Sequence, residues 1–270
     1  MTETIATDLH RAARTAEQAA YAAGTHLQAS RARLTEAVIT QRSQADVLAD
    51  IHREAQRLIC DVVFKHFPTH ALIAPGDAAD AAELQASGQP HWVIDPLDGG
   101  ANYLRGYPQY AVSLALVEAG VPRLGVVYDP CRNEFFGAIE GRGAVLNGEP
   151  MNCAKPRATA ESLAATVFPK AASACMPVYM TELGRVLRAF GGVRRSGSTA
   201  LEFAYLAAGR IDAFWAHDTV DSRAAAGLCL LRGSGAMLHA RDGLALLSSR
   251  SLLACTPTLF EPFLSLLAEA

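Results

Sequence analysis

The sequence lacks several features that mark large classes of proteins. Its 24 Lys and Arg residues form no run, and with 27 Asp and Glu residues they leave a net charge of −3. A basic surface of the kind that binds nucleic acid is therefore not expected. Charged and polar residues interrupt the alanines of Met1–Ala20, so this stretch is neither a signal-peptide core nor a membrane span. We expect neither nucleic acid nor a membrane as a partner.

The six cysteines also lack any spacing that would carry structure or chemistry. They form no CxxC pair and no cluster with histidine, and they stand at Cys60, Cys131, Cys153, Cys175, Cys229 and Cys255. Scattered thiols of this kind are typical of a protein in a reducing compartment. The sequence therefore indicates a cytoplasmic protein without a zinc site or a disulfide framework.

What the chain does have is enough apolar sequence for a sizeable core. It contains 270 residues, of which 50% are hydrophobic and 19% charged, so one large domain or two small ones are possible. Helical spacing of Leu and Ala predicts a first helix from Ile5 to about Gln28. The same spacing predicts a second helix over Asp46–His66.

The pattern changes twice along the rest of the chain. From Trp92 to Val145, short β-type runs separated by Gly and Pro predict successive antiparallel strands. After Asn152, apolar runs of strand and helix type alternate, which indicates an α/β arrangement. No flexible linker separates the halves, so we predict one compact unit made of 1–152, an α+β half, and 153–270, an α/β half.

The most informative segment is Trp92–Tyr103, which reads Trp-Val-Ile-Asp-Pro-Leu-Asp-Gly-Gly-Ala-Asn-Tyr. An apolar strand leads into two carboxylates, Asp95 and Asp98, and we expect Pro96 to end the strand. The turn would bring both carboxylates and the Leu97 carbonyl to one point. Hard oxygen ligands of this kind suit Mg²⁺, which needs few protein carboxylates. An ordinary Asp-Pro and Asp-Gly turn is the plainer interpretation.

This segment resembles the signature of the inositol monophosphatase family, within the lithium-sensitive, fructose-bisphosphatase-like phosphatases. The likeness continues through five later segments, Tyr110–Val117, Gly125–Pro130, Gly143–Gly148, Arg194–Ser198 and Ala207–Ala213. It therefore covers nearly the whole chain. The resemblance implies a layered α-β-α-β-α sandwich of the inositol monophosphatase and sugar phosphatase type, with the site between the two halves.

The resemblance also assigns roles to individual residues. It implies metal ligands at Asp77, Asp95, the Leu97 carbonyl and Asp98. It implies phosphate contacts at Gly99, Gly100, Ala101 and Ser198, and the chemistry of the guanidinium group adds Arg223 as a phosphate ligand. The resemblance makes Asp77, Asp95 and Asp98 the candidate catalytic residues, and we add Arg223 for its charge. Asp77 is the weakest match, because the family has a Gly-Glu-Glu segment there, and Asp80 and Glu83 compete for the same role.

Several positions depart from the family pattern. Gly100 stands where the family has a threonine whose hydroxyl helps to activate the attacking water. Arg223 stands where the family has an aspartate that binds the second metal. The family's Glu-Ala-Gly-Gly turn is replaced by Gly233–Ala236, and its Val-Thr-x-x-Asp segment is reduced to Val47–Asp50. We therefore expect reduced or altered activity and fewer metal ions than the family uses.

Arg223 has two opposite interpretations. Its guanidinium would compete with a metal for the charge of the aspartates, since unit charges about 4 Å apart interact by roughly 4 kcal/mol at an effective dielectric of 20. The same planar group is also a good phosphate ligand and could replace the second metal. Just upstream lie His217, Asp218 and Asp221. They could supply replacement metal ligands or a base, or they could be ordinary polar loop residues.

The resemblance implies a Mg²⁺-dependent phosphomonoesterase that acts on a small inositol, polyol or sugar phosphate. Two alternatives stay open. One is a weak or inactive family member that binds a phosphorylated ligand or a protein partner. The other is a nucleotide bisphosphate phosphatase, which the Ala101-Asn-Tyr103 continuation disfavours. The resemblance further implies a homodimer.

Overall fold

The computed structural model describes residues 2–39, 43–74, 84, 88–154, 157–218 and 222–268. Within these residues there are seven helices and twelve strands. The helices are α1 (Thr2–Ile39), α2 (Gln44–His66), α3 (Gly100–Arg105), α4 (Met176–Ala189), α5 (Thr199–Ala207), α6 (Ala225–Gly233) and α7 (Phe260–Ala268). The strands of the first sheet are β1 (Ala71–Ile73), β2 (His91–Asp98), β3 (Ala111–Glu118), β4 (Val121–Asp129), β5 (Glu134–Ile139), β6 (Gly143–Leu146) and β7 (Glu149–Met151). Those of the second sheet are β8 (Leu163–Val167), β9 (Gly192–Arg194), β10 (Ala213–Ala216), β11 (Met237–Ala240) and β12 (Leu252–Cys255).

The seven-stranded sheet keeps the order of the sequence, β1 to β7. Its strands from β2 onward pair antiparallel, as predicted, and only the β1–β2 pair in this sheet is parallel. The five-stranded sheet has the order β11-β12-β10-β8-β9. In that sheet β8, β9 and β10 run parallel, while β12 and β11 run antiparallel to their neighbours.

The two sheets and the helices form five layers, which confirms the predicted α-β-α-β-α sandwich. Helices α1 and α2 pack on the outer face of the first sheet. Helices α5 and α6 lie between the sheets, and α4 and α7 cover the outer face of the second sheet. Strands β2 and β3 are buried along almost their whole length because they have packed layers on both faces.

The first helix is longer than the sequence predicted. It begins at Thr2 and continues to Ile39, beyond the expected end near Gln28. Its last turns are held by tertiary contacts: Leu34 is buried, and Arg33 Nη1 donates to Glu54 Oε2 of α2 at 2.7 Å. The second helix ends at His66 as predicted, and Ser43 caps its start by accepting from Asp46 N.

Close packing of small residues fixes the helix that follows Arg223. A Cβ on Gly125 of β4 would lie 2.4 Å from the carbonyl oxygen of Ala226, so only glycine permits this approach of α6 to the sheet. The short 3₁₀ turn Ser222–Ala224 leads directly into α6. The position of Arg223 therefore follows from how α6 packs against β4.

None of the described helices combines the length and the apolar composition that a membrane-crossing helix needs. The six cysteines are all free thiols, and they do not form disulfides in this part of the chain. The division of the chain into 1–152 and 153–270 stays a prediction, although the residues that form the two sheets fall on either side of it.

Candidate active site

The two aspartates of the signature lie on the end of β2, in a strand that continues through Pro96. The expected end of the strand at Pro96 is wrong, because β2 reaches Asp98. The pairing with β3 shifts between Asp95, opposite Ser113, and Asp98, opposite Ala111. Such a bulge accommodates proline, whose nitrogen cannot donate to a neighbouring strand. The bulge is also what changes the direction of the side chains here.

Asp95 is buried and held by its own backbone. Only 4% of the residue is exposed, and its Oδ1 accepts from the Leu97 backbone N–H at 3.1 Å. Its Oδ2 lies 3.4 Å from Nη1 of Arg223, whose side chain is 45% exposed. The structure thus brings together two of the predicted site residues that are far apart in the sequence. Solvent screening keeps this ion pair weak.

Asp98 is held from the other half of the chain. Its Oδ2 accepts from the Ser198 hydroxyl at 2.7 Å and from the Ala200 backbone N–H at 2.8 Å. Its Oδ1 has no hydrogen-bond partner among the described residues, so this oxygen is available to a ligand. Burial, together with the charge of Asp95, raises the pKa of Asp98 to about 6, although Ser198, Ala200 and Arg223 oppose the rise. A buried carboxylate pair of this kind is stabilised by a cation.

The hydroxyl of Ser198 connects the start of α5 to Asp98. It precedes α5 as its N-cap, and its Oγ accepts from the Leu201 backbone N–H at 3.3 Å while donating to Asp98. The structure therefore gives Ser198 a role in holding a carboxylate. Its predicted contact with phosphate stays a prediction.

The glycine turn after β2 has a conformation that explains its sequence. Gly99 has φ +91°, and a Cβ there would lie 2.8 Å from the Gln109 carbonyl oxygen. Gly100 begins α3 and is different, because a Cβ there would meet only Leu48 Cδ2 at 4.0 Å. Space for a side chain therefore exists at Gly100. Ala101, next on α3, is exposed.

A buried carboxyl that the sequence analysis missed supports this site from behind. Glu202 of α5 is 2% exposed, and its Oε1 accepts from the Ser196 backbone N–H at 2.8 Å and from the Ser196 hydroxyl at 2.9 Å. Asn102 Nδ2 donates to the Ser196 carbonyl at 2.8 Å. These bonds fix the segment that ends at Ser198, and Ser198 in turn holds Asp98.

Glu202 is close to neutral at physiological pH. Its Oε2 is buried and has no partner within the described residues. Burial raises its pKa to about 8, against the opposing hydrogen bonds from Ser196. The signal in the sequence was a single ionisable residue inside the apolar run Ala200–Ala204.

His217 and Asp218, which the sequence offered as replacement ligands or bases, are engaged elsewhere. His217 Nε2 lies 2.7 Å from Glu182 Oε2, and Arg241 Nη2 donates to the other oxygen of this carboxylate at 2.6 Å. Burial works against ionisation of Glu182, but these two partners outweigh burial and lower its pKa. Asp218 pairs with Arg250 at 2.7 Å. His217 and Asp218 therefore interact with charged partners other than Asp95, namely Glu182 and Arg250.

Asp77, Asp80, Glu83 and Asp221 lie outside the described residues. Within the described part of the chain, no three His, Cys, Asp or Glu side chains converge as a metal centre. What is present is the pair of carboxylates on the bulge of β2, with the Leu97 carbonyl between them in sequence.

This donor set fits one hard cation such as Mg²⁺. The fit rests on the mutual repulsion of Asp95 and Asp98, which a cation would relieve, and on the open Oδ1 of Asp98. Arg223 already supplies a positive charge beside Asp95.

Comparisons with known proteins agree with the fold. The model of the inositol monophosphatase family matches residues 8–269. Among curated proteins, the Nus factor SuhB of Escherichia coli (strain K12) is 36% identical over 200 residues, which cover 74% of this chain and 73% of the relative. The inositol-1-monophosphatase of Rhizobium meliloti (strain 1021) is 32% identical over 219 residues, 81% of either chain.

Solved structures show the same architecture. The inositol monophosphatase from Anabaena (Nostoc) sp. PCC 7120 superposes with a TM-score of 0.79 at 28% identity, over 97% of this chain and 96% of that one. The family match spans nearly the whole chain and agrees with the signature on β2. The chain therefore belongs to the inositol monophosphatase family.

Proposed function

We propose that this chain is a Mg²⁺-dependent phosphomonoesterase that hydrolyses a small inositol, polyol or sugar phosphate with reduced activity. The observation that carries the proposal is the pair of carboxylates on β2: Asp95 is buried, Asp98 is partly buried and held by Ser198 from the second half, and the two charges repel each other. Family membership supports a phosphatase that acts on small phosphorylated substrates.

In this proposal Asp95, the Leu97 carbonyl and Asp98 hold the ion, with Asp77 as a further ligand. The ion, when bound, supplies Lewis-acid stabilisation of the charge that develops on the phosphate oxygens. The backbone N–H groups of Gly99, Gly100 and Ala101 donate to the phosphate, since the first N–H groups of a helix have no partner within the helix.

Arg223 binds the phosphate from the opposite side and replaces the charge of a second ion. Its guanidinium can donate two parallel hydrogen bonds to a phosphate. Its Nη1 lies 3.4 Å from Asp95 Oδ2, and 45% of its side chain is exposed, so part of the guanidinium side chain reaches solvent beside the carboxylates. Ser198 and Glu202 act indirectly, by fixing Asp98 and the segment beside it.

The expected rate is low because Gly100 provides no hydroxyl to orient the attacking water. General acid–base contributions of this kind amount to about 10²–10⁴-fold in rate. Free thiols throughout the chain agree with a cytoplasmic location, and the resemblance to the family supports a homodimer.

A second candidate is a weak or inactive member that binds a protein partner. Arg223 beside Asp95 favours it, because the cation competes with metal binding. The similarity to a protein named Nus factor also supports a function other than hydrolysis.

A panel of phosphate esters distinguishes these candidates. Inositol, glycerol and sugar monophosphates, together with a nucleoside 3′,5′-bisphosphate, are incubated with the protein and Mg²⁺, and released phosphate is measured. Slow release from a polyol or sugar monophosphate supports the phosphatase. Preference for the bisphosphate supports the nucleotide branch, and release from none of them supports the partner-binding alternative.

A further inference from the structure

One face of α2 is turned toward the glycine turn of the site. Leu48 of this helix lies 4.0 Å from the position that a Cβ on Gly100 would occupy. His52 is one turn further along α2 and shares that face, because residues four apart stand one above the other on a helix. The helix packs against both β2 and α3, which carry the site residues. His52 therefore lies on the side of α2 that carries Leu48, the residue in contact with the glycine turn.

The imidazole of His52 is half-buried and not engaged by other groups. In the described part of the chain it forms no hydrogen bond and no ion pair, and the charged groups that influence it are Arg223 and Arg53. This distinguishes it from His217, which contacts Glu182, and from His26, which lies 3.3 Å from Glu54. An imidazole with unused ring nitrogens at the edge of a site is available to exchange a proton.

Arg223 links His52 to the carboxylates. Burial, then the charge of Arg223 and then that of Arg53, lower the pKa of His52. The neutral form, which can accept a proton, therefore persists to lower pH than for an ordinary histidine. Arg223 also contacts Asp95, so one guanidinium lies near both groups.

Other charged groups surround the helix but lie on different faces or elements. On α2 itself, Asp50 pairs with Arg53. Helix α1 contributes Arg33 and His26, which both pair with Glu54. Strand β2 contributes Asp95 and Asp98, and helix α3 contributes Arg105. Arg223 and Arg53 are the charges that act on His52, and both favour its neutral form.

We propose that His52 accepts a proton from the water that attacks phosphorus, in place of the hydroxyl missing at Gly100. This role rests on the proposed phosphatase function. As the water oxygen forms its bond to phosphorus, one of its protons passes to the neutral imidazole, and the bond between phosphorus and the alcohol oxygen breaks. The alcohol oxygen takes a proton from solvent, and the imidazolium returns its proton to solvent.

The test compares pH profiles of phosphate release for the wild type, His52→Gln and His52→Ala, with Mg²⁺ and a hydrolysed ester. We expect His52→Gln to lower kcat about 10²-fold at neutral pH, to change KM little, and to remove the acidic limb of the wild-type profile. Added imidazole should restore activity to His52→Ala, which a structural role for His52 would not explain. His66→Gln, at the far end of the same helix, is the matched control and should behave as the wild type.

The possible failures are distinguishable. A wild type that releases no phosphate from any ester at any pH overturns the proposed function and this role with it. An active wild type whose pH profile is unchanged in His52→Gln overturns the role of His52 alone. A loss in His52→Ala that imidazole does not restore, with an acidic limb that remains in His52→Gln, also overturns it.

Discussion

Glu202 provides a prediction whose size follows from its surroundings. The change Glu202→Gln keeps an acceptor for Ser196 and replaces the buried, unpartnered Oε2 with an amide group that needs no ionisation. In the wild type, burial raises the pKa of this carboxyl from 4.5 to about 8. The folded state therefore holds a proton that the unfolded state has already lost between these two values.

The sign and the magnitude follow from this difference. Because the pKa is raised on folding, the contribution of Glu202 to the free energy of unfolding is highest below pH 4.5 and is lost as the pH rises to about 8. The difference between 4.5 and about 8 corresponds to about 4–5 kcal/mol. Glu202→Gln removes this loss, so the variant should match the wild type near pH 4 and be about 4 kcal/mol more stable above pH 8.

Urea unfolding of both proteins at several pH values between 4 and 9 measures the effect. If the free energy of unfolding of the two proteins differed by a constant amount over this range, the reasoning would be refuted. Glu202 would then ionise at the same pH in the folded and the unfolded state. Glu182→Gln is the matched control with the opposite sign. The pKa of Glu182 is lowered, so this variant should lose roughly 3–5 kcal/mol at pH 7, and the deficit should shrink as the pH falls below 4.5.

Three further predictions concern the metal, the altered positions and assembly. Asp95→Asn keeps the shape of the side chain but deletes its charge, so calorimetry should show loss of most Mg²⁺ or Mn²⁺ binding. Gly100→Thr combined with Arg223→Asp should raise both the number of bound ions and the turnover, and space for the threonine exists. Arg223→Ala alone should weaken binding of inorganic phosphate. Light scattering should give twice the 28.6 kDa mass of one chain.

Each of these has an outcome that contradicts it. Unchanged metal affinity in Asp95→Asn would remove Asp95 from the ligands, and Asp61→Asn, an exposed change on α2, serves as the control for loss of surface charge. A double variant with the metal stoichiometry of the wild type would show that Arg223 does not displace an ion. A monomer at every protein concentration would refute the homodimer.

The parts of the site that were predictable are local in sequence. Asp95, Leu97 and Asp98 stand within four residues, so a single segment revealed them. The strand through Pro96 was not predictable from the same segment, because the bulge depends on pairing with β3. From sequence alone, a proline predicts the end of a strand because its nitrogen cannot donate a hydrogen bond to the neighbouring strand. The register shift against β3 at this position, which accommodates the proline, is visible only in the fold.

The supporting residues escaped the sequence analysis because their partners are distant. Glu202 is a single charge in an apolar helix, and its importance comes from the Ser196 backbone and from its burial. His52 is an ordinary helical histidine in the sequence, and its place on the Leu48 side of α2 and the influence of Arg223 become visible only in the fold. The end of α1 was misjudged for the same reason, since Arg33 is held by Glu54 of another helix.

The central claim is that the carboxylates of β2 hold a metal ion that the chain uses for hydrolysis. Its most direct test is the rate of phosphate release from one hydrolysed polyol or sugar monophosphate as Mg²⁺ is titrated, in the wild type and in Asp95→Asn. The account predicts saturable, Mg²⁺-dependent release in the wild type, well below a typical kcat of about 10 s⁻¹, and none in the variant. Release that persists with a chelator, or that is equal in the two proteins, would contradict it.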